Sequence, residues 1–559
     1  MNAPKTTRVA VVQTLAALGD VEANIATVQS YVEQAADQRA ELVVFPECMN
    51  SGYLFDDEAH CRQIAEDIET GPFVTALQHL AADHHIHIVS GITERDPVDG
   101  CIYNSAIMLD ASGKLIGHYR KQFLATHDYN WFEVGNRGCV VVDTDLGRVG
   151  LLICFDGRIP EIARVLALSG AQMIVDVANF FEMDQADQWV PARAYENGVW
   201  MIASTKSGVE RSIYYPGGSQ IVGPDGIVRT SIPRDSHGLA IADIEPVLAD
   251  DKRWPGGDRF LDRRPECYEL LSTPFDQTPA AELTTQSSTP AEGMVKAAVV
   301  QAHSLGTSDS LEEAVAMIDD AAKLGVRLLV LPQHFAIGSA DPTAADVAAA
   351  QDIQRAAHTA IAKICQTYAA VAVVPMTYPS PTGVSEVAVI IGPDGDDLAR
   401  VSPIHGHTGT PAADGFPVID SPAGKLGVLI GYDGMFPESS RVLALAGAEI
   451  IVWSCAWHSP LQRQLLAVTK AEDNRCYVMA ANRTDSRYPG GSLIISPLGL
   501  PHWDVSVAAP PVTRHGAVIP AYLNRSLSRQ KAMIPRVDML ARRLVGTYDP
   551  LTSQGIVGS

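Results

Sequence analysis

The sequence has no CxxC pair and no regular spacing among its nine cysteines, an odd number in a chain of 559 residues. So sparse a set reads as reduced thiols and not as a disulfide framework. No apolar run approaches the ~20 residues that a membrane helix requires. The opening stretch, MNAPKTTRVAVVQ, lacks the charged-then-apolar pattern of a secretory signal and runs straight into a strand-like segment. Cationic residues are scarce: 42 Lys and Arg against 65 Asp and Glu leave a formal charge of −23. That balance is the reverse of what a phosphate-backbone binder needs. No GxxxxGKS or GxGxxG segment occurs, so nucleotide use is not indicated. These absences predict a cytoplasmic protein with neither a nucleic-acid nor a membrane partner.

What is present is a soluble globular composition, 47% apolar and 19% charged. At this length two or more domains are expected. The chain contains itself twice. Residues 150–175 read GLLICFDGRIPEIARVLALSGAQMIV, and residues 427–452 read GVLIGYDGMFPESSRVLALAGAEIIV, with 16 of 26 positions identical and no gap. RVAVVQ and KAAVVQ, ELVVFPE and RLLVLPQ, and YYPGGS and RYPGGS recur in the same order. Repeats this long are a duplicated domain and not a solenoid. Between the copies, residues 272–294 are rich in Ser, Thr, Pro, Gln and Glu, the composition of a linker. The expected organisation is residues 1–271 as one domain, 272–294 as linker and 295–559 as a second domain.

Within the first copy, short β-rich runs alternate with helical spacing. Strands are predicted at Val9–Val12, Glu41–Phe45, His87–Gly91, Tyr103–Asp110 and Gly150–Cys154. Helices are predicted at Val21–Arg39, Val74–Asp83 and Pro160–Leu168. This alternation predicts a layered α/β domain. Two chemically capable residues stand where strands end, Glu47 after ELVVFP and Cys154 closing GLLIC before the turn FDGR, and a third, Lys121 in GHYRK, follows a strand and a Gly turn. Open α/β sheets bind ligands beyond such ends. Taken singly, each has a plainer reading: a lone Cys is usually core, and a lone Glu or Lys is usually solvated surface.

The ordered set of motifs says more. FPE at 45–47, YRK at 119–121 and CFDGRIPE at 154–161 resemble the nitrilase superfamily of carbon–nitrogen hydrolases, as do FEVG at 132–135, RAYEN at 193–197, GGSQIVGPDG at 217–226 and RRPECY at 263–268. The resemblance covers essentially all of residues 7–271, and 295–550 resemble a second, divergent copy. It implies an α/β fold of two tandem four-layer αββα sandwich domains. It implies a catalytic set of Glu47 as general base, Lys121 as oxyanion stabiliser and Cys154 as nucleophile, with no metal or organic cofactor. An electropositive Lys121 would also favour the thiolate. The N–H of Phe155 would add a second oxyanion donor. Family members place a second Glu four residues before the Phe of FEVG; here that position is Asp128, one methylene shorter and able to reach differently, and it is carried as a substrate-positioning residue.

The second copy lacks this set. Glu47 matches Gln333, Lys121 matches Pro403 and Cys154 matches Gly431, so a carboxylate, an ammonium and a thiol are missing together. The implied second domain is degenerate and inactive, expected to pair with the first as an internal pseudo-dimer, with further homo-oligomerisation open. The segment Cys154-Phe155-Asp156 is similar to the amidase and carbamoylase branches, where true nitrilases show Cys-Trp-Glu. Arg158 falls where N-carbamoyl amino acid hydrolases hold a substrate carboxylate, an arrangement suited to a bidentate guanidinium. Its alternative is a structural pair with an acid such as Glu161. The expected activity is hydrolysis of a small amide or N-carbamoyl compound through a thioester-type intermediate, releasing ammonia or an amine. The rivals are nitrile hydrolysis and a non-catalytic scaffold. Among the remaining signals, Asp83-His84-His85-Ile86-His87 has histidines in i,i+2 spacing, which is not a closed metal site. His405 and His407, beside Pro403, are expected in a surface loop.

Overall fold

The structure is a computed structural model describing residues 5–285, 293–339, 341–380, 383–405, 413–457, 459–485, 490–499, 507–508 and 516–553. His407 and the first three residues of RYPGGS, together with residues 286–292 of the expected linker, lie outside the described residues. The chain forms two compact units. Unit 1 comprises Met1–Arg253, Ile534–Val537 and Gly546–Ser559; unit 2 comprises Trp254–Met533 and Asp538–Val545. Each unit therefore takes in a terminal piece of the other sequence repeat.

Unit 1 is built on two six-stranded sheets. The first joins β1 (Thr7–Gln13), β2 (Leu42–Val44), β3 (His87–Arg95), β4 (Ile102–Leu109), β5 (Leu115–Arg120) and β14 (Gly238–Ile244) in the order β14-β1-β2-β3-β4-β5. The second joins β6 (Val140–Thr144), β7 (Gly147–Ile153), β8 (Met173–Ala178), β9 (Trp200–Thr205), β12 (Gln220–Val222) and β13 (Val228–Ser231) in the order β13-β12-β9-β8-β7-β6. The inner strands β1, β2 and β3 are parallel, as are β7, β8 and β9. Parallel strands covered on both faces must be apolar on both, which is why RVAVV, LVV and GLLI read as unbroken apolar runs.

Ala10 and Val12 of β1 turn to the helix layer formed by α1 (Val21–Asp37) and α3 (Pro72–His84), where Val28, Val32, Phe73, Val74 and Leu77 meet them. The start of α1 is fixed by Asp20, whose carboxylate accepts from Ala23 N at 3.0 Å. The end of α3 is fixed by His85 in the left-handed region at φ 53°. Two histidines of DHHIH thus have structural places: His85 as this cap, and His87, on β3, with Nε2 3.2 Å from Asp145. On the second sheet α4 (Pro160–Leu168) opens with its proline in the first turn and is buried along its length. The order of layers is helices, sheet, sheet, helices.

Unit 2 repeats the plan. Its first sheet joins β17 (Met294–Gln301), β18 (Leu328–Val330), β19 (Val371–Ser380), β20 (Gly383–Ile391), β21 (Asp397–Val401) and β28 (Ala517–Asn524) in the order β21-β20-β19-β18-β17-β28. Its second joins β22 (Val418–Ser421), β23 (Gly424–Ile430), β24 (Ile450–Ser454), β25 (Tyr477–Ala481), β26 (Leu493–Ile495) and β27 (Val507–Ala508) in sequential order. Along β17, Val295, Ala297 and Val299 join one buried cluster and Ala298 and Val300 another, so alternate side chains serve the two faces of the sheet. Three local expectations change. The strand before the thiol ends at Ile153, and Cys154 opens a tight helical turn, Cys154–Arg158. Part of the linker-like stretch is helical, at Phe275–Gln277 and Pro279–Thr285. His405 is not a surface residue: it is 3% exposed, with Nδ1 2.9 Å from Asp433 and Nε2 2.6 Å from the Tyr268 hydroxyl. Its sequence neighbourhood is polar, and its burial comes from partners distant in sequence.

Beneath the site, β3 to β5 are tied by a buried charge cluster. Glu94 is bonded to His118 Nε2 at 2.7 Å, to the Arg120 guanidinium and to the Ser105 hydroxyl. Burial pushes the Glu94 carboxyl up, but His118 and Arg120 outweigh it and hold it at about 2. A carboxyl lowered in the folded state stabilises above its ordinary value, about 4.3, and loses that contribution as pH falls toward about 2. Glu94→Gln should cost about 3 kcal/mol at neutral pH. In denaturation midpoints measured across pH, the difference from the native chain should shrink below about pH 4.3.

Candidate active site

Glu47 is delivered by the end of β2. There the chain lies against Gly91 of β3, whose N–H donates to Pro46 O at 3.0 Å. A Cβ on Gly91 would stand 2.4 Å from Glu47 Cα and 2.8 Å from Cys48 N, so only glycine permits the approach. The Glu47 side chain is 1% exposed, and its Oε1 accepts from Asn104 Nδ2 at 2.5 Å and from Lys121 Nζ at 3.0 Å.

Lys121 follows directly on β5. Its buried ammonium bridges Glu47 and Asp128, reaching Asp128 Oδ2 at 2.8 Å. Asp128 sits in the turn Thr126–Asn130 and is fully buried. Its Oδ1 accepts from the Tyr53 hydroxyl at 2.8 Å, and its Oδ2 accepts from Ala125 N at 2.9 Å. Burial works against a charged Lys121, yet Asp128 and Glu47 outweigh it and hold the amine protonated well above its ordinary range. The shorter Asp therefore reaches the lysine.

Cys154 takes φ 52°, a left-handed conformation rare for a side-chain-bearing residue. Its N–H donates to Asp176 Oδ1 of β8 at 2.7 Å, which fixes the elbow. Burial pushes the thiol well above its ordinary value and the charge of Glu47 adds to this, while Lys121 opposes it. Lys121 thus acts in the direction expected from the sequence but is outweighed, and the resting group is a thiol. A thiol beside a carboxylate needs a base at the moment of attack, a role that Glu47 is placed to fill.

The other expected residues divide. Phe155 is the second residue of the thiol-bearing turn, and its ring stacks on Phe123 with centroids 5.7 Å apart. Arg158 pairs with Asp184 Oδ1 at 2.7 Å and lies over the Trp189 ring at 4.3 Å. Reading along the sequence missed Asn104 and Asp176, although both left a signal: each is a polar residue inside a mostly apolar, fully buried strand. It also missed Lys206, buried after β9, paired with Glu210 and 4.5 Å from the Tyr215 ring centroid. Both amide atoms of Asn179 and the hydroxyl of Tyr215 are buried without a hydrogen-bond partner among the described residues. Asn179 immediately follows β8. Burial pushes the Tyr215 phenol up, and the charges of Glu210 and Glu47 add to the shift.

In unit 2 the corresponding positions are filled differently. The register settles the correspondence of Lys121 with Pro403: Ala106 pairs with Tyr119 and Ala388 with Val401, each two residues before the position in question. Gln333 Nε2 donates to both carboxylate oxygens of Glu386, at 2.7 and 2.9 Å. Gly431 keeps a left-handed φ of 45°, but a Cβ there would meet the Gln333 amide at 2.5 Å. Trp453 stands in the register position of Asp176 and donates its indole N–H to Gly431 O at 2.9 Å. The backbone elbow survives while the space for a thiol is occupied.

A double-sheet sandwich with a thiol, a carboxylate and an ammonium gathered at its strand ends is the architecture of a hydrolytic enzyme. The carbon–nitrogen hydrolase family profile matches residues 8–253 and again 296–504, and the chain belongs to that family. A nitrilase of Pyrococcus abyssi (strain GE5 / Orsay) is 35% identical over 262 residues, covering 47% of this chain and 98% of that protein. An N-carbamoylputrescine amidase of Arabidopsis thaliana is 27% identical over 282 residues, covering 45% of this chain and 91% of that protein. Among solved structures, an amidase from Nesterenkonia sp. matches at 25% identity with a TM-score of 0.40, covering 44% of this chain and 93% of its own. Each relative is the size of one repeat.

The close approach at Gly91 yields a test. Gly91→Ala should push the Glu47 turn off β3 and lower kcat/KM by at least about 100-fold. Circular dichroism should retain the α/β signature; wild-type turnover in this variant would show that the approach does not position Glu47.

Proposed function

We propose that unit 1 hydrolyses the C–N bond of a small amide or N-carbamoyl compound through a cysteine thioester. The observation that carries this reading is the buried Lys121 ammonium, bridged to Glu47 and Asp128 beside the strained Cys154 elbow. Cys154 Sγ attacks the substrate carbon as Glu47 takes the S–H proton. The developing oxyanion is stabilised by Lys121 and by the Phe155 N–H, and Asp128 keeps Lys121 charged and aimed. The C–N bond breaks, the proton on Glu47 passes to the leaving nitrogen, and ammonia or an amine departs. Water then gives a proton to Glu47 and its oxygen to the acyl carbon, the S–C bond breaks, and the proton returns to sulfur.

On the substrate, the pairing of Arg158 with Asp184 supports an acyl group that does not depend on this guanidinium for a carboxylate. Buried polar atoms without a partner carry a desolvation cost, which a bound substrate would relieve. Asn179 and Tyr215 therefore favour a substrate with polar groups near the scissile carbon. Nitrile hydrolysis is the second reading, favoured by the 35% identity to the Pyrococcus abyssi nitrilase. Against it stands Cys154-Phe155-Asp156, where true nitrilases show Cys-Trp-Glu.

Catalysis resides in unit 1 alone, because Gln333 cannot serve as a carboxylate base and Gly431 has no nucleophile. Ammonia release should be measured on a panel of small amides, N-carbamoyl compounds and matched nitriles. Turnover should be found on an amide or N-carbamoyl compound, and Cys154→Ala should reduce it by at least about 1,000-fold. Residual activity close to wild type in Cys154→Ala would overturn the mechanism. Faster ammonia release from a nitrile than from its amide would replace the substrate class.

A further inference from the structure

The turn that carries Asp128 meets a side chain from near the far end of the sequence. Within unit 1, Arg536 lies over the Tyr129 ring with its guanidinium carbon 4.6 Å from the centroid, and Arg536 Nη2 donates to Tyr129 O at 3.4 Å. Tyr129 is the residue after Asp128. The turn itself is short: it is five residues long, and Thr126 is left-handed at φ 44°.

Arg536 stands at a position that disfavours it. Its φ is 71°, where a side chain is strained and glycine is the ordinary choice. The first repeat shows that choice. WPGG at 254–257 aligns with IPRV at 534–537, and Gly256 holds φ 98° at the matching place. The second repeat carries arginine instead, and that arginine reaches Tyr129. A neighbouring part of the same terminal segment adds to the hold: Thr547 Oγ1 donates to Gln122 Oε1 at 3.1 Å, one residue after Lys121.

We propose that Arg536 is a positioning residue for the unit 1 reaction, clamping the Tyr129 turn so that Asp128 keeps Lys121 aimed. The chain runs from the guanidinium to Tyr129, through one peptide to Asp128, and by a 2.8 Å ion pair to Lys121. Arg536 touches neither substrate nor reacting atoms. The second repeat, without a catalytic set of its own, would thus contribute to the chemistry of the first. This inference rests on the reaction proposed above.

The test compares Arg536→Gly and Arg536→Lys in the full chain. Glycine suits the backbone there, so Arg536→Gly should keep the thermal midpoint while removing the clamp. Its kcat should fall about 10-fold, with KM within about twofold of wild type, because misplacing a group that stabilises the transition state lowers kcat. Arg536→Lys, which retains a cation for the ring, should recover part of the loss. Amide hydrogen exchange over residues 126–132 should be faster in Arg536→Gly and slowed again in Arg536→Lys. That measurement needs no substrate, so it separates failure of the clamp from failure of the assigned reaction. Wild-type exchange in this segment for Arg536→Gly would overturn the inference, as would wild-type kcat. A change confined to KM would also overturn it.

Discussion

A lysine ammonium sealed away from water between two carboxylates is expensive to build. Removing such an ion from solvent costs several kcal/mol, and only close, well-aligned opposite charge recovers it. Lys121 meets that demand at 3.0 Å from Glu47 and 2.8 Å from Asp128, and much of unit 1 serves the arrangement. Gly91 allows the Glu47 turn to come close, the Glu94 cluster ties down the end of β5, and Tyr53 and Ala125 fix both oxygens of Asp128. Asp176 holds the elbow that presents Cys154. Burial and the charge of Glu47 keep the thiol protonated at rest, so the proposed reaction needs its base during attack.

The two repeats show what remains when that constraint is lifted. Unit 2 retains both sheets, the left-handed elbow and the helix Pro437–Leu445. With no ammonium to balance, an amide at 333, a proline at 403 and a bulky indole at 453 are tolerated. The amide of Gln333 occupies the place where a Cβ at 431 would stand, and the Trp453 indole is bonded to Gly431 O. The fold is set by two-sided apolar strands, and the site by a few charges at their ends, so one can persist without the other.

Much of this was legible in the sequence. A residue just past the C-terminal end of a buried strand faces the crevice, which marked Glu47 and Cys154 as candidates, and the resemblance carried by the ordered motifs singled them out together with Lys121. The helix Pro160–Leu168 was delimited by its own proline and apolar spacing. Asp128 was found through the resemblance, at the position where family members place a second Glu. Asn104 and Asp176 were not singled out, because an apolar run is read for its majority and both sit inside one. The conformation of Cys154 was hidden, since nothing in a cysteine announces a left-handed φ. His405 and Arg536 were illegible for a different reason: their roles depend on partners more than a hundred residues away, Tyr268 for one and Tyr129 for the other. Local pattern carries no information about such partners.

The most direct test of the central claim is the mass of the Cys154 peptide during turnover. Enzyme quenched in acid while hydrolysing a small amide, then digested and mapped, should carry the substrate acyl group on Cys154 and on no other cysteine. Steady turnover with an unmodified Cys154 peptide at every quench time, or an acyl group on another residue, would contradict the account.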